Sequence, residues 1–191
     1  MEARKTETDR QGYYTYADYI TWDDDIRWEL IDGVPYAMDN PTSRHQAISM
    51  ALSLQLASFL KGESCKVFYA PLDVRLNPDE GDDTVVQPDI MIVCDKSKIG
   101  MKGIRGAPDM VIEILSPSTA PRDKRVKLWK YSQAGVREIW ILDPDIKTLQ
   151  VFFLENGNYA AKTYGERDNV TVEILEGCQI NLEEVFAEQT Y

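Results

Sequence analysis

Two acidic residues stand inside apolar segments that are typical of buried strands, and they are the first candidates for chemistry. Glu113 interrupts residues 111–115 (VIEIL), and Asp89 stands near the start of residues 88–93 (PDIMIV). Charged side chains are rarely buried unless they are paired or bind a metal. Carboxylate oxygens are ligands that Mg²⁺ and Mn²⁺ prefer, and a cation-rich segment follows Glu113. The pattern therefore predicts a metal-dependent site that cleaves phosphodiester bonds.

Asp109 competes with Asp89 for the role of second ligand, because it also follows a proline. Asp109 and Glu113 lie four residues apart on one predicted strand. That separation is roughly 13 Å, which is too far for both carboxylates to share one ion. Asp89 belongs to another strand and can lie beside Glu113 if the two strands are neighbours. We therefore predict that Asp89 and Glu113 are the ligands and that Asp109 only starts its strand.

The segment after Glu113 carries five cations within nine residues: Arg122, Lys124, Arg125, Lys127 and Lys130. This cluster matters because the chain as a whole has a net charge of -11, whereas nucleic-acid binders usually present a basic surface. The alternative interpretation is a solvated helix face on which Asp123 and Lys127 form an i,i+4 pair, worth about 0.2–0.5 kcal/mol.

The elements before Asp89 are predicted to bring further polar groups towards the site. Residues 28–38 alternate apolar and polar side chains around Asp32-Gly33, which predicts a hairpin with a type I′ turn that carries Glu29. A helix is predicted over residues 43–60, with a buried stripe at Ile48, Leu52, Leu56 and Phe59 or Leu60. His45, the only histidine, falls on the inward face of that helix. A core role and a site role for His45 both remain open.

The remaining elements follow from apolar runs and turn residues. A single strand over residues 85–93 is expected to carry Asp89, and residues 96–106 are expected to form a mobile connection. A helix is predicted after the Glu113 strand, with Thr119 as N-cap, Pro121 in its first turn and Gly135 at its end. Further strands are predicted at 66–76 (around Pro71), 110–115, 137–143, 148–154, 158–164 and 170–173, with a last helix near 182–186.

Length and composition indicate one domain. We expect residues 1–12 to be a flexible leader and residues 13–191 to be a single endonuclease-like domain. The N-terminus has no apolar core typical of a signal peptide, and no apolar run reaches the ~18 residues of a membrane span. The three cysteines are odd in number and form no C-x-x-C pair, which argues against a disulfide scaffold and a zinc site. The expected location is the cytoplasm.

Taken together, the motifs resemble a known family. They are residues 28–33 (WELIDG), 87–89 (QPD), 108–119 (PDMVIEILSPST), the Asp123-x3-Lys127-x3-Tyr131-x3-Gly135 series and 140–144 (WILDP). The series resembles the Uma-type restriction endonucleases, a family within the PD-(D/E)XK nuclease superfamily. The resemblance runs from about Tyr16 to Leu182, so it covers nearly the whole chain.

The resemblance implies an α/β fold: a restriction-endonuclease-like mixed central β-sheet flanked by helices, with an N-terminal hairpin and additional C-terminal strands. It implies that Asp89, Glu113 and the backbone carbonyl of Ile114 bind Mg²⁺ or Mn²⁺, and that Glu29 is a further acid of the site. It also implies a DNA substrate, and by family analogy we expect a homodimer with no membrane association. His45 and Asp123 are candidates for lining the site.

One position departs from the superfamily pattern, because Leu115 stands where a strand lysine would follow the glutamate by two residues. The family resemblance implies that Lys127, on the next helix, takes over the role of that lysine. It would orient or deprotonate the attacking water and stabilise the negative charge of the transition state. The departure leaves open a second hypothesis, a catalytically inactive nuclease-fold module that binds nucleic acid or protein. A metal-free carboxylate pair, as in glycosidases, is the third.

Overall fold

The structure is a computed structural model that describes residues 12–116 and 123–187, without the side chains of Asp123 and Lys124. The predicted leader apart from Gly12, the predicted N-cap Thr119 and the predicted first-turn Pro121 lie outside the described residues. No helix in the described ranges is long and apolar enough to cross a membrane.

The secondary structure in these ranges comprises four α-helices and fourteen strands. The helices are α1 (Tyr16–Tyr19), α2 (Ser43–Phe59), α3 (Leu128–Ala134) and α4 (Leu182–Ala187), and one π-helical turn, Asp123–Lys127, leads into α3. The strands are β1 (Trp28–Ile31), β2 (Val34–Ala37), β3 (Lys66–Tyr69), β4 (Val74–Arg75), β5 (Val85–Val86), β6 (Ile90–Val93), β7 (Ile99–Gly100), β8 (Gly103–Arg105), β9 (Met110–Ile114), β10 (Glu138–Asp143), β11 (Thr148–Glu155), β12 (Asn158–Gly165), β13 (Asn169–Thr171) and β14 (Gln179–Asn181).

The central sheet has the strand order β12-β11-β10-β9-β6-β3. Strands β9 and β10 are parallel and the other pairs are antiparallel, so the sheet is mixed, as predicted. One face packs against α2, α4 and the β13–β14 ribbon. The buried apolar residues of that face include Ile48, Leu52 and Leu56 from α2 and Ile112 from β9.

A second six-stranded sheet, with the order β2-β1-β5-β4-β8-β7, and helix α3 cover the other face of the central sheet. The core between them contains Ile31 and Val74 from the second sheet, Val111 from β9 and Tyr131 from α3. The predicted N-terminal hairpin forms one edge of this second sheet. The predicted α/β architecture is confirmed, and the site must lie where the two sheets meet.

Local sequence signals gave the correct hairpin and the correct second helix. Asp32 and Gly33 have φ angles of 51° and 74°, which is the left-handed pair that a type I′ turn requires. Helix α2 begins after Thr42, whose side chain accepts a hydrogen bond from the His45 N–H. The last buried residue of the helix stripe is Leu60, whereas Phe59 is exposed.

The single strand predicted over residues 85–93 is wrong, because this segment forms two strands in two different sheets. Strand β5 pairs with β1 and β4 in the second sheet, whereas β6 pairs with β3 and β9 in the central sheet. Pro88 lies between them and has no N–H group with which to continue a ladder. Asp89 therefore lies just outside β6, at the point where the chain passes from one sheet to the other.

The mobile connection predicted over residues 96–106 is also wrong. The segment contains a 3₁₀ turn, Lys96–Lys98, and the paired strands β7 and β8. Gly103 has a φ angle of 140°, and a Cβ atom at this position would lie 2.3 Å from the Asp73 carbonyl oxygen. The glycine therefore permits a close strand contact, and does not provide flexibility.

The cysteine pattern did not predict the disulfide bond that joins Cys65 and Cys94. Strands β3 and β6 pair with Lys66 opposite Val93. The next positions outward, Cys65 and Cys94, are therefore neighbours across the sheet. Their separation of 29 residues in the sequence does not reveal this pairing. The third cysteine, Cys178, is free and buried.

Helix α3 ends at Gly135, as predicted, and this glycine provides a stability test. Its φ angle is 82°, and a Cβ atom added there meets no atom within 4 Å. A Gly135→Ala substitution is therefore expected to lower the free energy of unfolding through backbone strain alone, by about 1 kcal/mol. Gly135→Asn is the control and should cost less, because asparagine tolerates the left-handed conformation. Urea denaturation measures both, and equal losses would contradict this explanation.

Candidate active site

Asp89 and Glu113 face each other across neighbouring strands. Strands β6 and β9 are antiparallel, with Ile90 opposite Ile112, and the same register extended by one residue places Asp89 opposite Glu113. The side chain of Glu113 is 4% exposed and that of Asp89 is 17% exposed. Both residues line an open cleft of about 450 Å³.

Lys127 joins two of the acidic residues in a buried charge cluster. Its Nζ lies 2.6 Å from Glu113 Oε1 and 2.9 Å from Glu29 Oε1. The side chains of Lys127 and Glu29 are each 2% exposed. Glu29 comes from the second sheet, Glu113 from the central sheet and Lys127 from the π-helical turn before α3. The cluster therefore joins three elements and carries one excess negative charge.

Tyr131 is a member of this cluster to which the sequence patterns assigned no role. Its hydroxyl donates a 2.5 Å hydrogen bond to Glu113 Oε1, and the residue is fully buried. The four-residue spacing from Lys127 was the available signal, because residues four apart on a helix share a face. Burial and the nearby Glu113 carboxylate raise the pKa of Tyr131 well above its ordinary value. The hydroxyl therefore remains a hydrogen-bond donor at neutral pH.

Asp89 is oriented by two groups from other elements. The backbone N–H of Ile114 donates to Asp89 Oδ2 over 2.7 Å. The Nε2 atom of His45, at the start of α2, lies 3.2 Å from the same oxygen. His45 therefore lines the cleft and contacts one of the predicted metal ligands.

A backbone group orients Glu29, since the Gln87 N–H donates to Glu29 Oε1 over 2.9 Å. Asp109, at the opposite end of β9, accepts a 2.7 Å hydrogen bond from the Cys94 N–H and lies 3.3 Å from Arg137. Asp123 begins the π-helical turn, and its side chain, which was predicted to line the site, lies outside the described residues.

The donor set of the cleft fits a magnesium-type ion. Asp89, Glu113 and Ile114 line the same cleft and offer two carboxylates and a backbone carbonyl, all hard oxygen ligands. No group of three or more His, Cys, Asp or Glu residues suited to a metal occurs within residues 12–116 and 123–187. Mg²⁺ is commonly held by one or two carboxylates together with water and substrate phosphates, so a larger protein cage is not required. A structural zinc site would require four protein ligands.

Comparison with known proteins places the chain in a family. Residues 16–183 match the Uma2 family, which is described as "Putative restriction endonuclease". The chain belongs to the Uma2 family. The resemblance drawn from the sequence motifs is thereby confirmed.

This Uma2 family chain is similar to an uncharacterized protein and to a protein of known structure. The uncharacterized protein slr1290 from Synechocystis sp. is 27% identical over 127 residues, which is 65% of each chain. The match thus spans slightly less than two thirds of that relative. A crystal structure of a "putative nuclease belonging to DUF820" from Anabaena variabilis superposes with a TM-score of 0.76. It is 19% identical, and the match covers 92% of this chain and 99% of that one. This likeness shows a shared fold.

In this Uma2 family chain, Leu115 could not be replaced by a lysine without cost. Leu115 is 6% exposed and packs in the apolar core between the sheets, near Val111. Its N–H donates to the Leu142 carbonyl oxygen over 2.9 Å. An ammonium group at this position would lose hydration without an evident partner, whereas Lys127 reaches Glu113 from the helix side.

The raised pKa of Tyr131 predicts a pH effect on stability. Above pH 10 the unfolded chain loses the Tyr131 proton while the folded protein keeps it, so folding stability falls as the pH rises from the unfolded pKa towards the folded one. The wild type is therefore expected to lose stability more steeply between about pH 9.5 and 11 than Tyr131→Phe. Urea denaturation of both proteins across this interval measures the difference. Parallel curves would contradict the prediction.

Proposed function

We propose that this chain is a Mg²⁺- or Mn²⁺-dependent endonuclease that hydrolyses phosphodiester bonds in DNA, with a site of the PD-(D/E)XK type. The observation that carries the proposal is the pairing of Asp89 and Glu113 across β6 and β9, in a cleft that also contains Lys127. Two facing carboxylates beside a buried lysine are what metal-assisted phosphodiester hydrolysis requires. Membership of the Uma2 family supports the same conclusion.

Asp89, Glu113 and the backbone carbonyl of Ile114 would hold the metal. When bound, such an ion polarises a phosphoryl oxygen and increases the acidity of a bound water molecule. The surrounding residues fix the ligands, since His45 and the Ile114 N–H contact Asp89 while Tyr131 contacts Glu113. Partners of this kind orient metal ligands and tune their basicity.

Lys127 is the chain's own electrophilic group. Its two carboxylate neighbours, Glu29 and Glu113, favour the charged ammonium form. A charged ammonium donates hydrogen bonds and stabilises negative charge, so we assign Lys127 to orienting the attacking water and stabilising the transition state. Glu29, held by the Gln87 N–H, keeps the lysine in position and can accept a proton from the water.

The proposal includes DNA as the substrate and a homodimer as the assembly. It also includes a cytoplasmic location, because a DNA substrate requires a compartment that contains DNA. The Cys65–Cys94 disulfide opposes the location, since such bonds are rare in the cytosol. The net charge of -11 opposes non-specific binding to DNA, because it repels the phosphate backbone.

Cleavage of supercoiled plasmid tests the proposed function. The wild type is expected to nick the plasmid with Mg²⁺ or Mn²⁺ and to be inactive in EDTA. Asp89→Asn should lose at least about 100-fold in rate, because it removes a charged ligand without changing the size of the side chain. Asp145→Asn is the control, since Asp145 is exposed and pairs with Arg44 outside the cleft. Equal nicking by both variants would refute the assignment.

One observation favours the alternative of a non-cleaving interaction module. The Lys127 ammonium contacts the carboxylates of both Glu29 and Glu113, so the three side chains can serve as a structural ion-pair cluster. If the protein binds metal but does not cleave double-stranded DNA, single-stranded DNA or RNA, the result would support this alternative. Activity in EDTA on a sugar substrate would select a carboxylate-pair glycosidase instead.

A further inference from the structure

A second cleft, of about 470 Å³, adjoins the candidate active site. Arg27 and Gln87 line both clefts, so they form the wall between them. The lining of the second cleft also includes aromatic side chains from the N-terminal segment, notably Tyr19, Trp22 and Trp28. A ligand that extends past Arg27 from the active site would therefore meet aromatic rings.

The aromatic rings form one connected cluster. The ring of Trp22 lies 5.3 Å from that of Tyr19, 5.8 Å from that of Trp28 and 5.4 Å from that of Tyr14, between centroids. Trp28 is buried at 4% exposure, whereas Trp22 and Tyr19 are only partly buried. Such partly exposed rings on a fixed support are suitable for stacking with a planar ligand.

Among the described residues, no acid forms an ion pair with the cations of this cleft. The Nε and Nη2 atoms of Arg27 both donate to the neutral Gln87 Oε1, over 3.2 and 2.7 Å. Within the described ranges, neither Arg27 nor Lys102 has a carboxylate within ion-pair distance. The acid that lines the cleft, Asp73, accepts hydrogen bonds from Tyr19 and Gln87 through Oδ1. In a chain with 32 acids and 21 Lys and Arg residues, an unpaired guanidinium held in place is a candidate anion site.

We propose that this second cleft binds one unpaired nucleotide next to the scissile phosphate. Arg27 and Lys102 would bind its phosphate, and its base would stack on Trp22. The inference rests on the proposed function for the identity of the ligand, but its geometry is separate from the metal ligands. It assigns a role to the aromatic N-terminal segment, which the charge cluster does not use, and it predicts a preference for DNA with an unpaired or extruded nucleotide.

The test is binding of a fluorescent oligothymidylate of about eight nucleotides in EDTA, measured by anisotropy. The wild type is expected to bind the single strand more tightly than a paired duplex of the same length. Arg27→Met should weaken binding by roughly tenfold and reduce the slope of log K against log salt by about 0.7. Arg167→Met is the matched control, because it removes an exposed guanidinium outside both clefts.

Stacking has its own readout. The oligothymidylate should quench tryptophan fluorescence in the wild type, and Trp22→Phe should remove most of the quenching while retaining binding. Three results would overturn the proposal: no binding by the wild type, equal effects of Arg27→Met and Arg167→Met, or equal binding of duplex and single strand. Because the assay contains no metal, a failure of plasmid nicking would leave its result unaffected. Conversely, if the protein nicks plasmid normally but Arg27→Met does not change oligothymidylate binding, only the proposed nucleotide site in the second cleft is rejected.

Discussion

The Lys127→Met variant is expected to have a free energy of unfolding about 3–5 kcal/mol below that of the wild type at neutral pH. The substitution removes the ammonium group that lies 2.6 Å from Glu113 Oε1 and 2.9 Å from Glu29 Oε1. Both carboxylates then remain largely buried with no cation between them. Urea denaturation measures the loss. The same variant is expected to lose nicking activity, because the proposed electrophile is absent.

Lys130→Met is the matched control on the same helical segment. Lys130 pairs with Asp32, whose side chain is 61% exposed, so this substitution should change stability by no more than about 1 kcal/mol. A double variant, Glu29→Gln with Lys127→Met, should recover part of the stability because it removes one of the two unpaired charges. Similar losses for Lys127→Met and Lys130→Met would show that burial of the charge cluster contributes little.

The Glu113→Gln variant is expected to bind Mn²⁺ at least about 100-fold more weakly than the wild type and to lose plasmid nicking. Glutamine has nearly the same size and can still accept hydrogen bonds from Lys127 and Tyr131, which contact Glu113 in the wild type. The fold should therefore survive while the charged ligand is lost. Isothermal titration calorimetry with Mn²⁺ measures binding, and circular dichroism verifies the fold.

Asp109→Asn is the informative control for this measurement. Asp109 stands on the same segment and also follows a proline, but it bonds the Cys94 N–H at the opposite end of β9. The variant should bind Mn²⁺ like the wild type. Unchanged binding by Glu113→Gln would remove Glu113 from the metal site. If only Asp109→Asn weakens Mn²⁺ binding, Asp109 is a metal ligand, and the choice of Asp89 over Asp109 from strand geometry is wrong.

The parts of the fold that the sequence predicted correctly depend on local signals. The Asp32-Gly33 turn, the apolar stripe of α2 and the end of α3 at Gly135 each follow from a few neighbouring residues. The pairing of Asp89 with Glu113 was also accessible, because Asp109 lies too far from Glu113 along the same strand, whereas Asp89 belongs to another strand. The position of Lys127 came from the family resemblance, since spacing alone did not separate it from the other cations of its helix.

The missed features depend on which strand lies beside which. The strands before and after Pro88 consist entirely of apolar residues, so the hydrophobic pattern did not show that β5 and β6 belong to different sheets. The disulfide required the register of β3 with β6. Predicting that Arg27 pairs with the neutral side chain of Gln87 would have required knowing that Gln87 lies where the chain passes from one sheet to the other. Such long-range pairings are set by packing of the whole chain and not by neighbouring residues.

The assembly of the charge cluster from two sheets and a helix has a consequence during synthesis of the protein. Glu29 lies near the N-terminus, Glu113 follows 84 residues later, and Lys127 comes last (113 − 29 = 84). Until the segment after β9 has left the ribosome, the nascent chain has at most two of the three groups. Under the proposed function, no cutting is therefore possible before the segment that carries Lys127 has been made.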